Sequence, residues 1–489
     1  MPFALSRRQF LTAAAGAAGA AQLCGLAHAG PSVATLPVLS ADWRALANML
    51  QGALLRPDAA EFARVAAPWN LRFASTMPAG IARCTSPDDV AVCVLWAKRN
   101  EIPLVIRSGG HSYAGFSTTG GLMIDVSPMH SVSAPDGEGR VRLGGGARNA
   151  DVAAVLRNAN RSITHGRCKD VGVAGLVLGG GIGFNQRRFG LACDQLVETE
   201  IVIAAGERLV CNAEQNPDLF WACRGGGGGN FGVNVSLTFQ TFLVGDYTYF
   251  KLNWREGVED VLPAALELLP SMPDRLGCKL RVEAGREPRL ELLGQLAGTP
   301  EELTRLLSPL HRIAKPSQET KRLLPYWECQ EPLAEDGAPE YSHERSRYVF
   351  HALSKGASAT LLDFLRRWPG THAGAEWKMF LAGGAVAAVA PAATAFVHRK
   401  AIMLSSIDLT WTEGDDAATF ADNDAWLGAF HDAMRPFTSD ECFQNFIDGA
   451  EPNYLRAYYG ANLERLVEVK RRYDPENLFR FQQSIPLSL

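Results

Sequence analysis

The 489-residue sequence lacks several signals that would assign it to a common functional class. A net charge of −4 without a long basic stripe excludes the electrostatic footprint of a nucleic-acid-binding protein. Beyond the N-terminus, no apolar run is long enough to span a membrane. No metal-site spacing with paired histidines and no internal repeat is present. The length predicts about two to three domain-sized units.

The chain also lacks the G-x-G-x-x-G fingerprint that follows a strand and opens a helix in a doubly wound dinucleotide-binding fold. Glycine itself is abundant, with 47 residues, and it concentrates in three segments. The first segment, 102–115, carries an apolar run into Ser-Gly-Gly-His-Ser at 108–112. Glycines there can turn several N–H groups towards one anion, and Arg107 adds a forked cation that suits phosphate. For this segment alone, a tight turn with a surface histidine is an equal alternative.

The second segment, 166–183, places Cys168 ahead of a dense group of glycines and small apolar residues. Such a composition costs backbone entropy on folding, which indicates that something approaches the backbone closely. The alternative for Cys168 is a buried or disulfide-bonded cysteine. The third segment, 216–233, contains five consecutive glycines between aromatic residues. A linker would have this composition too, but the strand that follows at once favours a buried contact loop.

Together, the three segments resemble the flavin-binding domain of the vanillyl-alcohol-oxidase superfamily, and specifically its berberine-bridge-enzyme-like branch. The C-terminal stretches 457–466 and 473–485 support this branch, as do 383–385 and 394–399 in the middle of the chain. The resemblance covers nearly everything after about residue 65. It implies an α+β fold, in which a two-subdomain PCMH-type FAD-binding domain is joined to an antiparallel-sheet substrate domain covered by helices.

The implied domains are the FAD-binding domain at 75–245, the substrate-binding domain at 246–445 and a C-terminal segment at 446–489 that returns to the first domain. The pattern of residues predicts the following elements within them: helices at 40–67, 87–100, 150–159 and 299–311, and strands at 235–242, 279–284, 289–296, 377–381 and 402–411.

The cofactor that the resemblance implies is FAD, bound covalently. A histidyl bond would join His111 to the 8α methyl of the isoalloxazine, and a cysteinyl bond would join Cys168 to its C6. Further cofactor-binding residues are expected at Arg107, Ser108, Gly109, Gly110, Ser112, Gly115, Asp170, Val171, Gly172, Val173, Gly175, Gly179, Gly180, Gly181, Gly183, Gly232, Val233 and Tyr458.

The catalytic base is less evident than the cofactor. Sugar-oxidising members of the family carry a tyrosine near 443–448 and a carboxylate just ahead of the Gly-Gly at 383–384. This chain has Phe443 and Phe446 instead, and an apolar run before Gly383, so the sugar-oxidase mechanism is in doubt and a more apolar pocket is expected. The remaining candidates are Asp408 and Asp448, either of which could instead make only structural hydrogen bonds. Glu376, His343 and Tyr341 are further possibilities.

The residue after Gly172 stands near the oxygen-reactive flavin carbon in the family, and Val173 resembles the residue of oxidases rather than dehydrogenases. The leading hypothesis is therefore an oxidase that acts on a small-molecule alcohol, phenol or amine, reduces O2 and releases H2O2. The alternatives are a carbohydrate or oligosaccharide oxidase and, from another class, a ligand-binding flavoprotein of the mitomycin-resistance type.

The N-terminus indicates export. Arg7 and Arg8 precede an alanine-rich apolar stretch, and the small-x-small pattern at 27–29 suits cleavage. The paired arginines predict a twin-arginine signal over 1–29, hence the translocation machinery as a partner and a periplasmic or secreted protein with no stable membrane span when mature. An uncleaved anchor is the alternative. Without Cys24 and Cys168, eight cysteines remain, an even number that permits disulfides in an exported protein.

Overall fold

The first part of the chain begins with a small sheet of mixed direction. The computed structural model describes residues 41–489, so the predicted signal lies outside the described residues. Neighbouring strands follow the order β1–β2–β4–β3, with β1 antiparallel to β2 and the other pairs parallel, where the strands are Ala53–Leu55 (β1), Gly80–Arg83 (β2), Leu104–Arg107 (β3) and Leu122–Asp125 (β4).

A second four-stranded sheet is antiparallel throughout, in the order β5–β9–β7–β8, and a two-stranded ribbon pairs β6 with β10. These strands are Arg140–Gly144 (β5), Arg161–Ser162 (β6), Leu196–Val202 (β7), Arg208–Asn212 (β8), Val233–Gln240 (β9) and Phe242–Leu243 (β10). The helices of this part are Trp43–Met49 (α1), Phe62–Ala66 (α2), Pro87–Arg99 (α3), Asn149–Leu156 (α4), Val173–Leu178 (α5), Gln186–Phe189 (α6), Ala192–Gln195 (α7) and Pro217–Ala222 (α8).

Helix α3 shows why the local sequence folds as it does. The Ser86 side chain caps its N-terminus by accepting a hydrogen bond from the N–H of Asp89, and Pro87 occupies the first turn, where no donor is lost. Acidic residues in the first turn and basic residues in the last turn complement the helix dipole. The helix predicted at 87–100 is therefore confirmed. Its buried side packs against β4 and β7.

A seven-stranded antiparallel sheet follows, in the order β14–β11–β13–β12–β16–β17–β15. Its strands are Asp246–Trp254 (β11), Leu276–Glu283 (β12), Arg289–Leu296 (β13), Gln318–Pro325 (β14), Tyr341–Val349 (β15), Gly374–Leu381 (β16) and Met403–Trp411 (β17). The strands predicted at 289–296 and 402–411 are confirmed to within one residue. The predicted domain boundary near 245 falls between β10 and β11.

Helices cover one face of this sheet. They are Val258–Leu268 (α9), Pro300–Ile313 (α10), Lys355–Arg366 (α12) and Ala417–Met434 (α13), with the short Tyr326–Gln330 (α11) beside them in the chain. Alternate strand residues such as Leu280 and Val282 point towards these helices and are fully buried. We call this the helix-covered face and the opposite one the cavity-side face. The α+β class with a helix-covered antiparallel sheet is confirmed.

The C-terminal residues pack onto the first part of the chain. Their helices are Tyr454–Tyr459 (α14) and Leu463–Tyr473 (α15). Lys470 is fully buried, and its ammonium donates to the carbonyl of Asn230 and to the Asp474 carboxylate at 2.8 and 2.7 Å. The hydrogen bond to Asn230 ties the tail to the loop that contains the five glycines. None of the helices in the described part of the chain has the length and apolarity of a membrane span.

Two expectations need correction. The helix predicted at 40–67 is two short helices, α1 and α2, separated by strand β1, because Gly52 and its neighbours donate backbone hydrogen bonds to the buried Asp89 carboxylate. The nine cysteines that the structure describes are all free thiols, and eight of them are buried. Cys84 and Cys93 come closest, with 3.9 Å between their sulfur atoms. The disulfides that the even count permits are therefore not formed among residues 41–489.

Candidate active site

A large cavity lies where the glycine-rich segments meet the C-terminal residues. It runs from the end of β3 past α5 to the loop before α14. The predicted cofactor residues that line it are Ser108, Gly109, Gly110, His111, Ser112, Cys168, Val171, Gly172, Gly175 and Gly232. Both predicted attachment residues thus face one space, and flavin contact for the whole set stays a prediction.

Two glycines allow the loops that carry His111 and Cys168 to touch. A Cβ added to Gly109 would overlap the backbone nitrogen of Gly172, and a Cβ added to Gly172 would overlap the Ser108 hydroxyl. Only residues without a side chain permit this approach. The contact fixes the distance between the two loops, so it fixes how the two attachment residues face each other.

The imidazole of His111 is held by an aromatic neighbour. The Trp69 ring stacks on it with a centroid distance of 5.1 Å, and the Trp69 N–H donates to the carbonyl of Gly110 at 3.2 Å. Burial lowers the pKa of His111 to about 4, with Arg148 acting in the same direction and Asp170 against it. The imidazole is therefore neutral at physiological pH and keeps a nitrogen lone pair available for bond formation.

Cys168 lies on a loop fixed through its backbone. Its carbonyl accepts hydrogen bonds from the side-chain amide of Asn149 at 2.9 Å and from the N–H of Val171 at 3.3 Å. Burial raises the pKa of the thiol, whereas the neighbouring Arg167 guanidinium lowers it. That guanidinium pairs with Glu335 at 2.6 Å and lies over the Phe380 ring. The sulfur is therefore a protonated thiol, and the charges of Arg167 and Lys378 both favour its ionised form.

The residues present fit a flat ring system with a phosphate tail. Gly175 lines the cavity, and a Cβ added there would meet no atom within 4 Å, so a side chain at this position would project into open space. Gly227, Gly228 and Gly229 line the cavity at the five-glycine loop. A wall with so few side chains lets a large ligand lie against the backbone. His111, Cys168 and these glycines are the residues that would hold FAD.

Arg107 makes contacts within the protein at the position where phosphate binding was predicted. Its guanidinium is buried and donates to backbone carbonyls of Val65, Ala66 and Ala67 at 2.8 to 3.0 Å and of Ser117 at 3.0 Å. These bonds use Nε and Nη1, whereas the buried Nη2 donates to none of the described residues. Arg107 fixes the loop after α2 to the end of β3, and its phosphate contact stays a prediction.

Several other predicted cofactor residues also lie outside the cavity wall. Asp170 is largely exposed and pairs with Arg148, and the rest contact protein: Gly115, Gly179, Gly180, Gly181, Gly183, Val173, Val233 and Tyr458. For the glycines, side chains or backbone atoms of other residues already occupy the space that a Cβ would fill. Their conformational freedom serves packing between protein segments.

For two of these residues, a neighbour in sequence lines the cavity. Val173 opens α5 and is buried in the core, whereas Val171 lines the cavity, so the cavity wall gives the oxidase argument from Val173 no support. On α14, the Tyr458 hydroxyl accepts a hydrogen bond from the N–H of Asp448, and Tyr459 lines the cavity instead. Adjacent helical residues point in different directions, about 100° apart.

Aromatic side chains form one wall of the cavity. Phe443 and Phe446 both line it, as expected from their positions in the family pattern. Tyr113 stacks on Phe446 with ring centroids 5.2 Å apart, and Phe380 meets Phe446 edge to face. No role was predicted for Tyr113, although it stands two residues after His111 and lines the cavity.

Charged residues occupy the cavity-side face of the sheet near Tyr113, beyond the residues that line the cavity itself. Asp408 lies there on β17, and its Oδ2 accepts a hydrogen bond from the Lys378 ammonium at 2.9 Å. Lys378 also contacts Glu344 at 3.2 Å and Glu376 at 3.8 Å. Lys378 and Glu344 were missed, because their importance comes from the pairing of strands that are distant in sequence.

Asp448 does not belong to this group. Its carboxylate pairs with Arg345 at 2.7 Å and with His343 at 3.1 Å, and it accepts from the N–H of Ala450. Hydrogen bonds from His343 and the charge of Arg345 hold the pKa of Asp448 well below its usual range despite burial. These contacts favour a structural role for Asp448, and its catalytic role stays a prediction. Of the further possibilities, His343 is held in this pair and Tyr341 donates to Glu413 away from the cavity.

Comparison with known proteins gives family matches for two segments of the chain that line this cavity. The model of the FAD binding domain family matches residues 78–212, and the model of the berberine and berberine-like family matches residues 442–486. The FAD-linked oxidoreductase YgaK of Bacillus subtilis is 34% identical over 414 residues, which are 83% of this chain and 90% of that protein. The (R)-6-hydroxynicotine oxidase of Paenarthrobacter nicotinovorans is 29% identical over 454 residues, covering 89% and 97%.

The fold is shared with a solved flavoenzyme. The glucooligosaccharide oxidase of Acremonium strictum, described with a 6-S-cysteinyl, 8α-N1-histidyl FAD, superposes with a TM-score of 0.80. Its sequence identity is 25%, and the match covers 91% of this chain and 99% of that protein. In that protein, one histidine and one cysteine therefore hold the flavin.

Proposed function

Because the chain belongs to the berberine-bridge-enzyme-like FAD-linked oxidoreductases of the vanillyl-alcohol-oxidase superfamily, we propose that it is an exported oxidase with bicovalently bound FAD. In this proposal, His111 and Cys168 carry the flavin. The substrate is a small-molecule alcohol, phenol or amine. The electrons pass to O2, which is reduced to H2O2.

The single observation that carries the proposal is that the His111 and Cys168 side chains line the same glycine-walled cavity. Bound FAD supplies the hydride acceptor in this class of enzyme. The neutral His111 imidazole offers its lone pair, and stacking on Trp69 limits the ring orientations. Arg167 favours the thiolate of Cys168, which is the reactive form of a thiol. The two linkages named for the glucooligosaccharide oxidase use the same pair of residue types.

Asp408 is the residue that we propose takes a proton from the substrate. Lys378 fixes its Oδ2, whereas its buried Oδ1 accepts no hydrogen bond from the described residues. A general base needs a free acceptor within reach of the substrate proton, and Oδ1 meets the first requirement. Loss of one hydride and one proton then oxidises the substrate, and O2 takes up two electrons and two protons.

The test of the covalent linkages uses purified mature protein and the variants His111→Ala, Cys168→Ala and the double variant. After denaturation in acid, we expect the yellow colour to stay with the wild type and with each single variant and to leave only the double variant. Cys278→Ala is the matched control, because this buried cysteine does not line the cavity. Colour lost from the wild type would contradict both linkages.

Oxidase activity and export need separate tests. Sustained H2O2 release with stoichiometric O2 uptake over many turnovers would support the oxidase and exclude a ligand-sequestering flavoprotein. Replacement of Arg7 and Arg8 by lysine is expected to leave the protein in the cytoplasm. Equal distribution of wild type and variant between cell fractions would contradict export.

A carbohydrate oxidase is the second candidate function. The charged cavity-side face favours it, since carboxylates and ammonium groups are good partners for sugar hydroxyls, and the glucooligosaccharide oxidase shares the fold. Phenylalanine at 443 and 446 speaks against the mechanism of the sugar-oxidising members. Parallel assays with oligosaccharides and with aromatic alcohols and amines separate the two candidates.

A further inference from the structure

We propose that the substrate carries a protonated amine, which binds at a group of four carboxylates on and beside the cavity-side face of the sheet. This carboxylate cluster consists of Glu340, Glu344, Glu376 and Asp408. The inference rests on the proposed function, because it assumes that a substrate binds between the cluster and the cavity of His111 and Cys168. In this arrangement, the nitrogen lies at the cluster and the oxidised carbon lies in the cavity.

Strand register brings three of these carboxylates side by side. Glu344 on β15 is directly opposite Asp408 on β17, and Asp408 is directly opposite Glu376 on β16. Like charges in directly opposed positions destabilise an antiparallel pair. A row of three carboxylates across three neighbouring strands is therefore costly unless positive charge is supplied.

The protein supplies less positive charge than the cluster needs. Lys378 contacts Glu344, Glu376 and Asp408, and it is the one cation that contacts three members of the cluster among residues 41–489. Arg281 reaches Glu376, but it also pairs with Glu291 and Glu283. Glu340 has no ion pair with any described residue. The cluster thus keeps an excess of negative charge.

Two carboxylate oxygens in the cluster lack donors. Oε1 of Glu344 and Oδ1 of Asp408 are buried and have no hydrogen bond of good geometry from the described residues, although the nearby Ser406 hydroxyl acts on the Glu344 carboxylate. The Glu344 side chain is only 4% exposed. A buried acceptor without a partner is costly, and an ammonium group brings three donors with its charge. One bound ammonium would thus supply both the missing charge and the missing donors.

The acid–base behaviour of the cluster agrees with an excess of negative charge. Burial raises the pKa of Glu344 to about 6. The charge of Lys378 lowers this pKa, and the charge of Asp408 raises it. Burial raises the pKa of Glu340 to about 7, with Asp408, Glu344 and Glu376 acting in the same direction and Lys378 against them. A bound cation would lower both values.

Tyr113 connects the cluster with the cavity. It lines the cavity, and the charges of Glu344, Lys378 and Asp408 act on the pKa of its buried hydroxyl, which burial raises well above the usual value. The ring itself offers an aromatic face for a cation. A substrate that reaches from the cavity past Tyr113 would therefore place a cationic group among the carboxylates.

The opposite end of the same region has the opposite charge. Next to Cys168, the single carboxylate of Glu335 is paired with both Arg167 and Lys279. This end repels a cation, whereas the cluster attracts it. The charge distribution thus orients an amine substrate with its nitrogen away from Cys168.

The test measures binding rather than turnover, by calorimetric titration of the holoprotein at about pH 8. The probes are matched pairs that differ in one group: benzylamine and benzyl alcohol, tryptamine and tryptophol, glucosamine and glucose. For at least one pair, we expect the amine to bind about tenfold more tightly than the alcohol. In the double variant Glu340→Gln, Glu344→Gln, the preference should fall to about twofold or less.

Glu319→Gln is the control, since this carboxylate lies on β14 at the far edge of the sheet and its loss should leave the preference unchanged. A second measurement needs no variant: lowering the pH of the wild type from about 8 to about 5.5 should weaken amine binding as Glu340 and Glu344 take up protons. The inference is wrong if no amine binds more tightly than its partner. Because no oxidation is measured, this result is independent of the outcome for oxidase activity and flavin attachment.

Discussion

The two faces of the seven-stranded sheet have opposite chemistry, although the same strands build both. On β12, Leu280 and Val282 point towards the helices and are fully buried, whereas Lys279 and Arg281 point towards the cavity side. On β12, the helix-covered face is stabilised mainly by apolar burial. The cavity-side face is held by ion pairs whose partners lie on other strands. A substitution on the first face should change stability, and one on the second should also change chemistry.

The largest expected effect tests whether Asp408 is the proton acceptor. Asp408→Asn should lower kcat by about 10²- to 10⁴-fold while flavin content and fold are retained, because the amide cannot take a proton. Asp448→Asn is the comparison: it should destabilise the fold by breaking the pair with Arg345, yet leave kcat within about twofold of the wild type. Stopped-flow flavin reduction and urea unfolding measure the two effects. A fully active Asp408→Asn enzyme would rule out this base.

A second comparison sets Lys378 against Leu280, which lie on opposite faces. Lys378→Met should lower the free energy of unfolding by about 3 to 5 kcal/mol, because Glu344 and Asp408 then lose their buried counter-charge. Leu280→Ala should cost about 2 to 5 kcal/mol by leaving a cavity. Only the first variant should also lose activity.

A double variant sharpens this result. Adding Glu344→Gln to Lys378→Met should restore part of the stability, since one uncompensated carboxylate is removed. Urea unfolding of the four proteins in the cycle gives the coupling energy. Strictly additive changes would mean that the ion pair contributes nothing.

The smallest effect concerns the helix-covered side, where His431 on α13 is buried. Burial, together with Arg345, Arg347 and Arg435, lowers the pKa of His431 to about 3, and Asp448 acts against them. Between pH 3 and the ordinary value near 6.5, the unfolded chain binds a proton that the folded protein does not, so stability falls as the pH falls through this range. The loss is at most about 1.4 kcal/mol per pH unit.

His431→Asn should flatten this part of the stability profile, whereas the exposed His372→Asn should not. Thermal unfolding between about pH 7 and 4.5 measures the slopes. Protonation of Asp448 lowers the stability only below about pH 4, which is outside the pH range of this measurement. Identical slopes in wild type and His431→Asn would show that His431 is accessible to protons in the folded protein.

The sequence was informative where one strand or one loop carries the signal by itself. The strand at 289–296 could be placed exactly because it alternates and is bounded by turn residues. The positions of His111 and Cys168 followed from their glycine-rich segments, and both line the cavity. Local pattern is sufficient in such cases, because the relevant neighbours are close in sequence.

The sequence was uninformative where tertiary pairing decides. Nothing local distinguishes Arg107, which donates to carbonyls, from an arginine that binds phosphate. Val171 and Val173, and likewise Tyr458 and Tyr459, differ only in the direction in which the backbone points them. The cluster around Lys378 depends on the register of β15, β16 and β17, where Asp408 lies opposite Glu376 and Glu344, which are 32 and 64 positions away in sequence.

The buried Lys470 and the tail that it fixes have a consequence for truncated forms of the protein. Phe479, Arg480 and Phe481 follow this lysine in the chain and line the cavity. The Lys470 ammonium donates to the carbonyl of Phe479 as well as to that of Asn230, so one buried cation positions two parts of the cavity wall. A chain that stops short of Phe479 would lack part of this wall even with His111 and Cys168 present.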